Sequence, residues 1–387
     1  MQNDIDSAEM TLYQSLPLQA SDAVSFTKLL CELPFESASI EPCTWAHPLR
    51  FRFTELSALD GSVIRSGRHG RFDGDMLALD DDCLPASSIA HELVRNRLLM
   101  LFIVDESSPA EPVCRILQLP GRRIAWNLKL ALEVARSARF ARQHRDELVL
   151  RGEVENYREA HCPVCHATLV LTGMPSSPQV YCAYCDSLMT FAADHALARY
   201  ERPLRLCDDC GRFSRPQRFT VFYWYFLVIE SGLRAKTAWR CPACMRRQAW
   251  TMLLGNLPFV IGVPGALWQL ARAYLASNPS GPFRELESGN RNARAGKVTS
   301  ALNAYRLVLE RLGCSAGVKY NLAQVFMARG DRHRATEAME HTLSDCANYD
   351  PAFEQLRRLY RQLGMQAELE ELEAAWSATR GETSTSV

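Results

Sequence analysis

The chain has 387 residues, 47% of them apolar and 23% charged, a composition typical of a globular protein with two to four domains. Its 44 basic residues equal its 44 acidic residues, which excludes a nucleic-acid-binding protein that is basic overall. The charge is uneven locally, because residues 201–247 carry ten Lys or Arg against four Asp or Glu.

The first 150 residues predict a β-rich domain that ends in a helix. Short apolar runs at residues 49–53, 76–79, 98–104 and 113–119 are separated by turn residues and predict strands. A helical pattern of apolar residues follows from residue 124 to about residue 147. Antiparallel strands capped by one helix are similar to a pleckstrin-homology domain. The alternative is an α+β domain that binds no ligand.

The sequence carries none of the common catalytic motifs. His91 and Glu92 match the start of the His-Glu-x-x-His zinc helix, but Arg95 stands where the second His is needed. A glycine-rich phosphate loop and a Gly-x-Ser-x-Gly nucleophile turn are also missing from the sequence. We therefore expect a protein that is not an enzyme.

Four Cys-x-x-Cys pairs lie within 83 residues near the centre of the chain. Structural zinc sites are tetrahedra of thiolates, and a two-residue spacer lets one turn present two sulfurs to the same ion. The pairs therefore predict two Zn²⁺ ions, one in a module at 158–195 and one in a module at 201–276. The predicted ligands are Cys162, Cys165, Cys182 and Cys185 in the first module, and Cys207, Cys210, Cys241 and Cys244 in the second.

The two modules differ in the distance between their cysteine pairs. The first has 16 residues between its pairs, including a strand-like run and a turn-rich run, and it resembles a zinc ribbon. The second has 30 residues between its pairs, which is long for a ribbon and implies an insertion.

Disulfides and a redox dithiol are the alternatives to zinc. Disulfides need an oxidising compartment, whereas residues 1–17 carry acidic side chains and lack the apolar core of a signal peptide. A redox dithiol would be one pair at the start of a helix, unlike four pairs in tandem. We therefore expect zinc and a cytoplasmic protein, either free or held at the cytoplasmic face of a membrane.

The insertion in the second module contains an intensely apolar segment, residues 219–229. It is too short to cross a bilayer as a helix, which takes about 20 residues. A Cys-x-x-Cys pair, an apolar insertion and a Cys-Pro-x-Cys pair resemble the LITAF-like zinc domain. This resemblance implies that all four cysteines of the module bind one zinc ion and that segment 219–229 dips into a membrane face. The alternative is a core strand packed on the neighbouring ribbon.

A second apolar run, residues 249–271, contains no charged residue. Gly and Pro break it near its middle, and Pro264 is well placed to open a new helix over residues 265–276. We expect two short helices joined by a bend, which lie in a membrane interface, form a re-entrant hairpin or pack as a core. The residues predicted to meet a membrane or a hydrophobic partner are Phe222, Trp224, Phe226, Leu254 and Trp268.

Residues 284–378 show a 34-residue period. Gly296, Gly330 and Gly364 recur at this spacing, as do Ala301 and Ala335. The pattern resembles tetratricopeptide (TPR) repeats, which implies an α-solenoid of about three helix pairs. In such an array the first helix of each pair faces the concave side. The candidate contacts for an extended peptide on that side are Asn290, Asn321, Gln324 and Arg357. The alternative is an array that is purely structural or that self-associates.

These features predict a multidomain α+β protein that acts as a non-enzymatic adaptor. Zinc would rigidify its centre, the basic and apolar segments would dock on an anionic membrane face or a hydrophobic partner, and the TPR array would recruit a protein or peptide. One alternative is nucleic-acid binding by the zinc ribbons, whose basic strands can contact phosphates. Another is an enzyme whose site lies in the N-terminal domain.

Overall fold

The computed structural model describes residues 48–105, 108–190, 195–226, 231–257, 262–276 and 278–380. The chain forms two compact units. The first comprises residues 1–155 and 159–170, and the second comprises residues 156–158 and 171–387.

The first unit begins with an antiparallel sheet of seven strands, counted over the described residues. In sheet order the strands are β4, β3, β2, β1, β7, β6 and β5. Their bounds are β1 Leu49–Leu56, β2 Val63–Phe72, β3 Met76–Leu79, β4 Asp82–Pro85, β5 Ile89–Arg95, β6 Leu98–Asp105 and β7 Ser108–Gln118. The prediction of a β-rich N-terminal region is confirmed, and β2, β4 and β5 are strands that the sequence did not predict.

Helix α1, Arg122–Arg151, follows the sheet and covers one of its faces. Alternation along β1 turns Phe51 and Phe53 toward the same core as Leu128 and Leu132 of the helix. The helix ends at Gly152 in the left-handed conformation, with φ 74°, which is a common helix terminus. His91 and Glu92 lie on β5, so they belong to a strand and not to a metal-binding helix.

The cysteines of the first predicted module lie in two hairpins. Strand β8, Glu159–His161, pairs with β9, Thr168–Val170, and belongs to the first unit. Strand β10, Gln179–Cys182, pairs with β11, Ser187–Thr190, and belongs to the second unit. Each hairpin has a Cys-x-x-Cys pair at its turn.

The second predicted module has more structure than a ribbon. Helix α2, His195–Glu201, precedes a short hairpin of β12, Arg205–Leu206, and β13, Phe213–Ser214. A long hairpin follows, formed by β14, Gln217–Phe226, and β15, Ser231–Arg240. Two helices complete the module, α3, Pro242–Asn256, and α4, Val263–Leu275. The helix predicted at residues 265–276 is therefore confirmed to within two residues.

The C-terminal region consists of three helix pairs. The second helix of each pair starts at Val298, Arg332 or Gln366, and these positions are 34 residues apart. The pairs are α5 Leu286–Arg294 with α6 Val298–Leu312, α7 Ala316–Ala328 with α8 Arg332–Asp345, and α9 Asp350–Leu363 with α10 Gln366–Arg380.

Within each pair the turn carries a glycine at positive φ. The angles are 70° at Gly296, 80° at Gly330 and 71° at Gly364. Glycine adopts this backbone conformation without steric cost, which explains its recurrence at the turn. The small residues of the repeat, Ala301 and Ala335, are fully buried, as a close helix crossing requires.

Candidate metal centres

The first cysteine cluster brings together the four residues predicted for it. The sulfur atoms of Cys162, Cys165, Cys182 and Cys185 all lie within 4.8 Å of one another, and all four residues are buried. The Cys162 sulfur accepts hydrogen bonds from the backbone N–H groups of Val164, at 3.4 Å, and Cys165, at 3.5 Å. Such amide donors stabilise a thiolate, the form of cysteine that binds metal.

The second cluster, formed by Cys207, Cys210, Cys241 and Cys244, also has its four sulfurs within 4.8 Å of one another. The sulfurs of Cys210 and Cys241 are 3.9 Å apart. A tetrahedron with metal–sulfur bonds of about 2.3 Å has sulfur–sulfur edges of about 3.8 Å. The donor set and its spacing therefore fit one tetrahedral metal ion.

The two halves of the second cluster come from different local structures. Cys207 and Cys210 occupy a tight turn that closes at Gly211, whose φ of 64° suits glycine. Cys241 and Cys244 occupy the N-terminal turn of α3, where Pro242 is the first helical residue. The helix N-terminus carries partial positive charge, which stabilises a thiolate bound to a metal ion at either position. This arrangement corrects the expectation of a ribbon with an insertion, because one half-site is a helix end.

The four thiols of the second cluster lie so close together that their pKa values shift in opposite directions. The hydrogen bond with Cys207 is the largest cause that holds the pKa of Cys210 below its ordinary value. The hydrogen bond with the same residue is also the largest cause that raises the pKa of Cys244. Some thiols of the cluster therefore keep their protons near neutral pH, and a divalent cation that binds there displaces them.

Charged side chains fix the second cluster to the elements around it. Arg240 at the end of β15 is buried, donates to Asp209 at 2.8 Å and donates to the Phe219 carbonyl at 2.8 Å. This arginine therefore ties the cysteine turn to the long hairpin. Arg294 of α5 donates to the sulfurs of Cys241, at 3.4 Å, and Cys210, at 3.8 Å. No motif in the sequence marks Arg294, although it lies on the same helix as the predicted contact Asn290.

Two residues predicted to bind an extended peptide hold an extended segment of this chain instead. Asn321 donates to the Phe213 carbonyl at 2.7 Å and accepts from the Phe213 N–H at 2.7 Å. Asn290 donates to the same carbonyl at 3.0 Å. Both asparagines are fully buried, so neither faces solvent in this structure.

The same kind of contact occurs at the end of the second repeat. Asn348 donates to the Tyr181 carbonyl at 2.7 Å and accepts from the Tyr181 N–H at 2.9 Å. Gln179 on the same strand accepts from the N–H of Ala316 at 2.7 Å. Strands of both cysteine modules are therefore held by side-chain amides or backbone groups of the helix array.

The other two predicted peptide contacts are partly exposed. Gln324 lies on α7. Arg357 on α9 pairs with Glu354 at 3.0 Å and lines an open groove of about 660 Å³. Phe353 and Trp376 stack in this groove with ring centroids 4.0 Å apart.

The apolar segment at 219–229 enters the structure as strand β14, whose described part ends at Phe226. Phe219 is fully buried and Val221 nearly so, in a core with Met245 and Met252 of α3. The alternative of a core strand is therefore confirmed for this part of the segment, but its packing partners are helices α3 and α4 and not a ribbon.

The five residues predicted to meet a membrane or hydrophobic partner have different surroundings. Phe222 is half-buried against α4, where it lies close to the Cα of Gly265, so it contributes to the core. The side chains of Trp224 and Phe226 lie outside the described residues. Leu254 on α3 is 62% exposed and Trp268 on α4 is 70% exposed.

Exposed apolar residues extend across both helices. Trp250 and Leu254 lie on one face of α3 and Leu257 directly follows its end, while Leu267, Trp268 and Leu275 lie on the exposed side of α4. Trp250 donates to the Tyr274 hydroxyl at 3.2 Å, which places the two rows side by side. We call these six residues, with Tyr274, the apolar helix face. Within the described part of the chain, no helix combines the length and the apolar character needed to cross a membrane.

Comparison with known proteins does not assign this chain to a family. No protein-family model and no curated protein matches this chain. Part of the chain resembles MamA. Two crystal structures of MamA are each 16% identical to it, with TM-scores of 0.23 and 0.24, and they cover 36% and 38% of this chain and 77% and 78% of their own. A point mutant of MamA is 17% identical, with a TM-score of 0.22, over 35% of this chain and 94% of its own.

Scores this low carry no argument about fold or function. The repeat assignment rests on the 34-residue spacing of the helix pairs, and the metal sites rest on the sulfur geometry. The chain therefore combines a β-rich N-terminal region, two four-cysteine clusters that can hold metal ions, and TPR-like helix pairs.

Proposed function

We propose that this chain is a cytoplasmic, non-enzymatic zinc-binding adaptor. The observation that carries the proposal is the pair of four-cysteine clusters, buried except at Cys210, the second of which is tied to the helix array by Arg294. Buried sites made only of thiolates, with every coordination position filled by protein, are typical of structural zinc. In this role zinc holds the short hairpins in shape and leaves no open position for a substrate.

The helix array would recruit a protein or peptide through the parts of its surface that do not contact the cysteine modules. The groove around Arg357 is such a surface, because it combines the Phe353–Trp376 stack with two arginines, two glutamates and one aspartate. An aromatic stack and paired charges of both signs suit a short peptide segment with one apolar anchor.

The apolar helix face would dock on an anionic membrane or a hydrophobic partner. Contiguous exposed apolar surface of this kind marks interaction sites in soluble proteins. Residues 241–276 contain three arginines and no acidic residue, so the charge next to this face is positive. Apolar segment 219–229 would add to the contact through the residues that follow Phe222, as the resemblance to a LITAF-like domain implies.

The N-terminal region would be a pleckstrin-homology-like domain. This proposal is supported by the seven antiparallel strands, by the pairing of β1 with both β2 and β7, and by the single helix that follows. In the adaptor this domain supplies a third surface for partners.

Flotation of the full chain with anionic phospholipid vesicles tests docking. Leu254→Ser combined with Trp268→Ser should lower the floated fraction at least several-fold, because the apolar helix face then loses two strongly exposed apolar side chains. Leu150→Ser is a matched control, since Leu150 is 88% exposed but lies on α1. Docking through the apolar helix face is wrong if the double variant floats as well as the control. A salt-dependent shift of RNA or DNA without flotation would instead favour the nucleic-acid alternative.

A further inference from the structure

Three polar residues of helix α5 lie on one face and contact the second cysteine module. Glu287, Asn290 and Arg294 are spaced i, i+3 and i+7, which places them on the same side of the helix. Glu287 accepts from the Ser214 hydroxyl at 3.0 Å, Asn290 donates to the Phe213 carbonyl, and Arg294 donates to two cluster sulfurs. The first helix of the repeat array therefore forms part of the wall around the second cluster.

Arg294 places a positive charge beside the sulfurs of the second cluster. A divalent cation with four thiolates carries two net negative charges, and this cluster is buried except for the partly exposed Cys210. Arg294 is itself mostly buried and pairs with Glu287 at 2.7 Å. Its guanidinium thus bridges the carboxylate and the sulfurs with directed N–H donors. Hydrogen bonds to ligand atoms from outside the coordination shell orient the ligands and strengthen metal binding.

The strand held by the asparagines directly follows the cysteine turn. Phe213 lies three residues after Cys210, and its N–H and carbonyl both bond to Asn321. Its ring packs on Gly317 of α7, where an added Cβ would lie 2.5 Å from the ring. A change in the cysteine turn is therefore transmitted to two helices, α5 through Arg294 and α7 through Phe213.

We propose that Arg294 is a positioning residue for the metal at the second cluster and couples metal binding to the inner face of the helix array. With the metal bound, the thiolates hold Arg294, and residues 213–214 stay seated on Asn290 and Asn321. Without the metal, Arg294 loses its thiolate partners and keeps only Glu287, residues 213–214 come loose, and the asparagines become open to another extended peptide. This inference rests on the proposed zinc occupancy.

The test compares Arg294→Gln with Arg291→Gln in the full chain. Arg291 is an exposed residue of the same helix, so its variant controls for loss of one positive charge. Zinc affinity is measured by competition with a chromophoric chelator, and the binding phase that disappears in Cys244→Ser is assigned to the second cluster. Arg294→Gln should weaken that phase about 10- to 100-fold, with the control unchanged. Equal affinity of the two variants would overturn the inference.

Hydrogen exchange of the wild-type chain provides a readout that does not depend on a variant folding. Removal of zinc should speed exchange of the Phe213 N–H and of the α5 amides at least tenfold, while the amides of β6 in the N-terminal sheet keep their rate. Unchanged protection at Phe213 after zinc removal would contradict the coupling. If the purified chain holds no zinc at the second cluster, the proposed function fails as well, which distinguishes the two outcomes.

Discussion

Asn321 was predicted to contact an extended peptide, and in the structure it binds an extended segment of its own chain. The repeat pattern places it on the inner face of the array, and its amide does bind an extended main chain. The partner is Phe213, which lies 108 positions earlier in the same chain. Spacing along a sequence reports which face a residue occupies, but it does not report which distant segment covers that face.

Replacing Asn321 by Ala should destabilise the second unit. The Phe213 N–H would be buried without its acceptor, at a cost of about 1 to 3 kcal/mol. Gln324→Ala is the matched change on the same helix, and its partly exposed side chain should cost less than about 0.5 kcal/mol. Urea unfolding followed by circular dichroism measures both variants. Equal losses of stability would show that the contact with Phe213 contributes nothing.

Glu92 gives the N-terminal sheet a dependence on pH. Burial raises the pKa of Glu92 to about 7, although Arg136 contacts both carboxylate oxygens at 2.8 and 2.9 Å and opposes the shift. The folded state then binds more protons than the unfolded state between the ordinary glutamate pKa and pH 7. Stability should therefore fall as the pH rises through this window and level off above it, by at most about 3 kcal/mol.

Hydrogen exchange of the β5 amides between pH 4.5 and 8, corrected for intrinsic rates, measures this effect. Glu92→Gln cannot ionise, so its corrected protection should vary less across the same range. Protection that rises toward neutral pH in the wild-type chain would contradict the assigned direction.

At the scale of elements, the sequence predicted most clearly what depends on local pattern. Four strands and the helix after them follow from apolar runs, and the helix pairs follow from the 34-residue period. Strand β2 was missed because residues 63–69 are largely exposed and lack a buried alternation. The strand at residues 219–226 was ambiguous in the sequence, because a continuous apolar run fits a buried strand and a membrane-seeking segment equally well.

Contacts between elements that are distant in the chain could not be predicted from the sequence. The four cysteines of each cluster were predictable from their two-residue spacers, and the position of the second cluster beside α5 was not. Arg294 carries no motif, and only the spacing of Glu287, Asn290 and Arg294 on one helix face could have suggested a buried polar contact.

Gly317 allows helix α7 to approach β13. Its Cα faces the Phe213 ring, so Gly317→Ala should displace the ring and cost about 1 to 3 kcal/mol. A double-mutant cycle with Phe213→Ala isolates the clash, because Gly317→Ala should cost little once the ring is gone. If the losses of stability measured by thermal unfolding are additive, Gly317→Ala creates no steric clash with the Phe213 ring.

At the scale of the whole molecule, the helix array and the second cysteine module depend on each other structurally. Glu287, Asn290, Arg294 and Asn321 all contact the module, so metal binding and the packing of the first two repeats share the same residues. We expect loss of one ligand, as in Cys241→Ser, to loosen α5 and α7 along with the hairpin. Limited proteolysis should then cut within residues 284–330, and an unchanged digestion pattern would mean that the modules are independent.

Metal content is the most direct test of the central claim that this chain is built around two zinc sites. Native mass spectrometry of the gently purified chain, with elemental analysis of the same sample, should find two zinc ions per chain. Cys182→Ser and Cys244→Ser should each retain one, because each removes a ligand from a different cluster. A wild-type chain with less than one zinc ion, or with its cysteines paired as disulfides, would contradict the account.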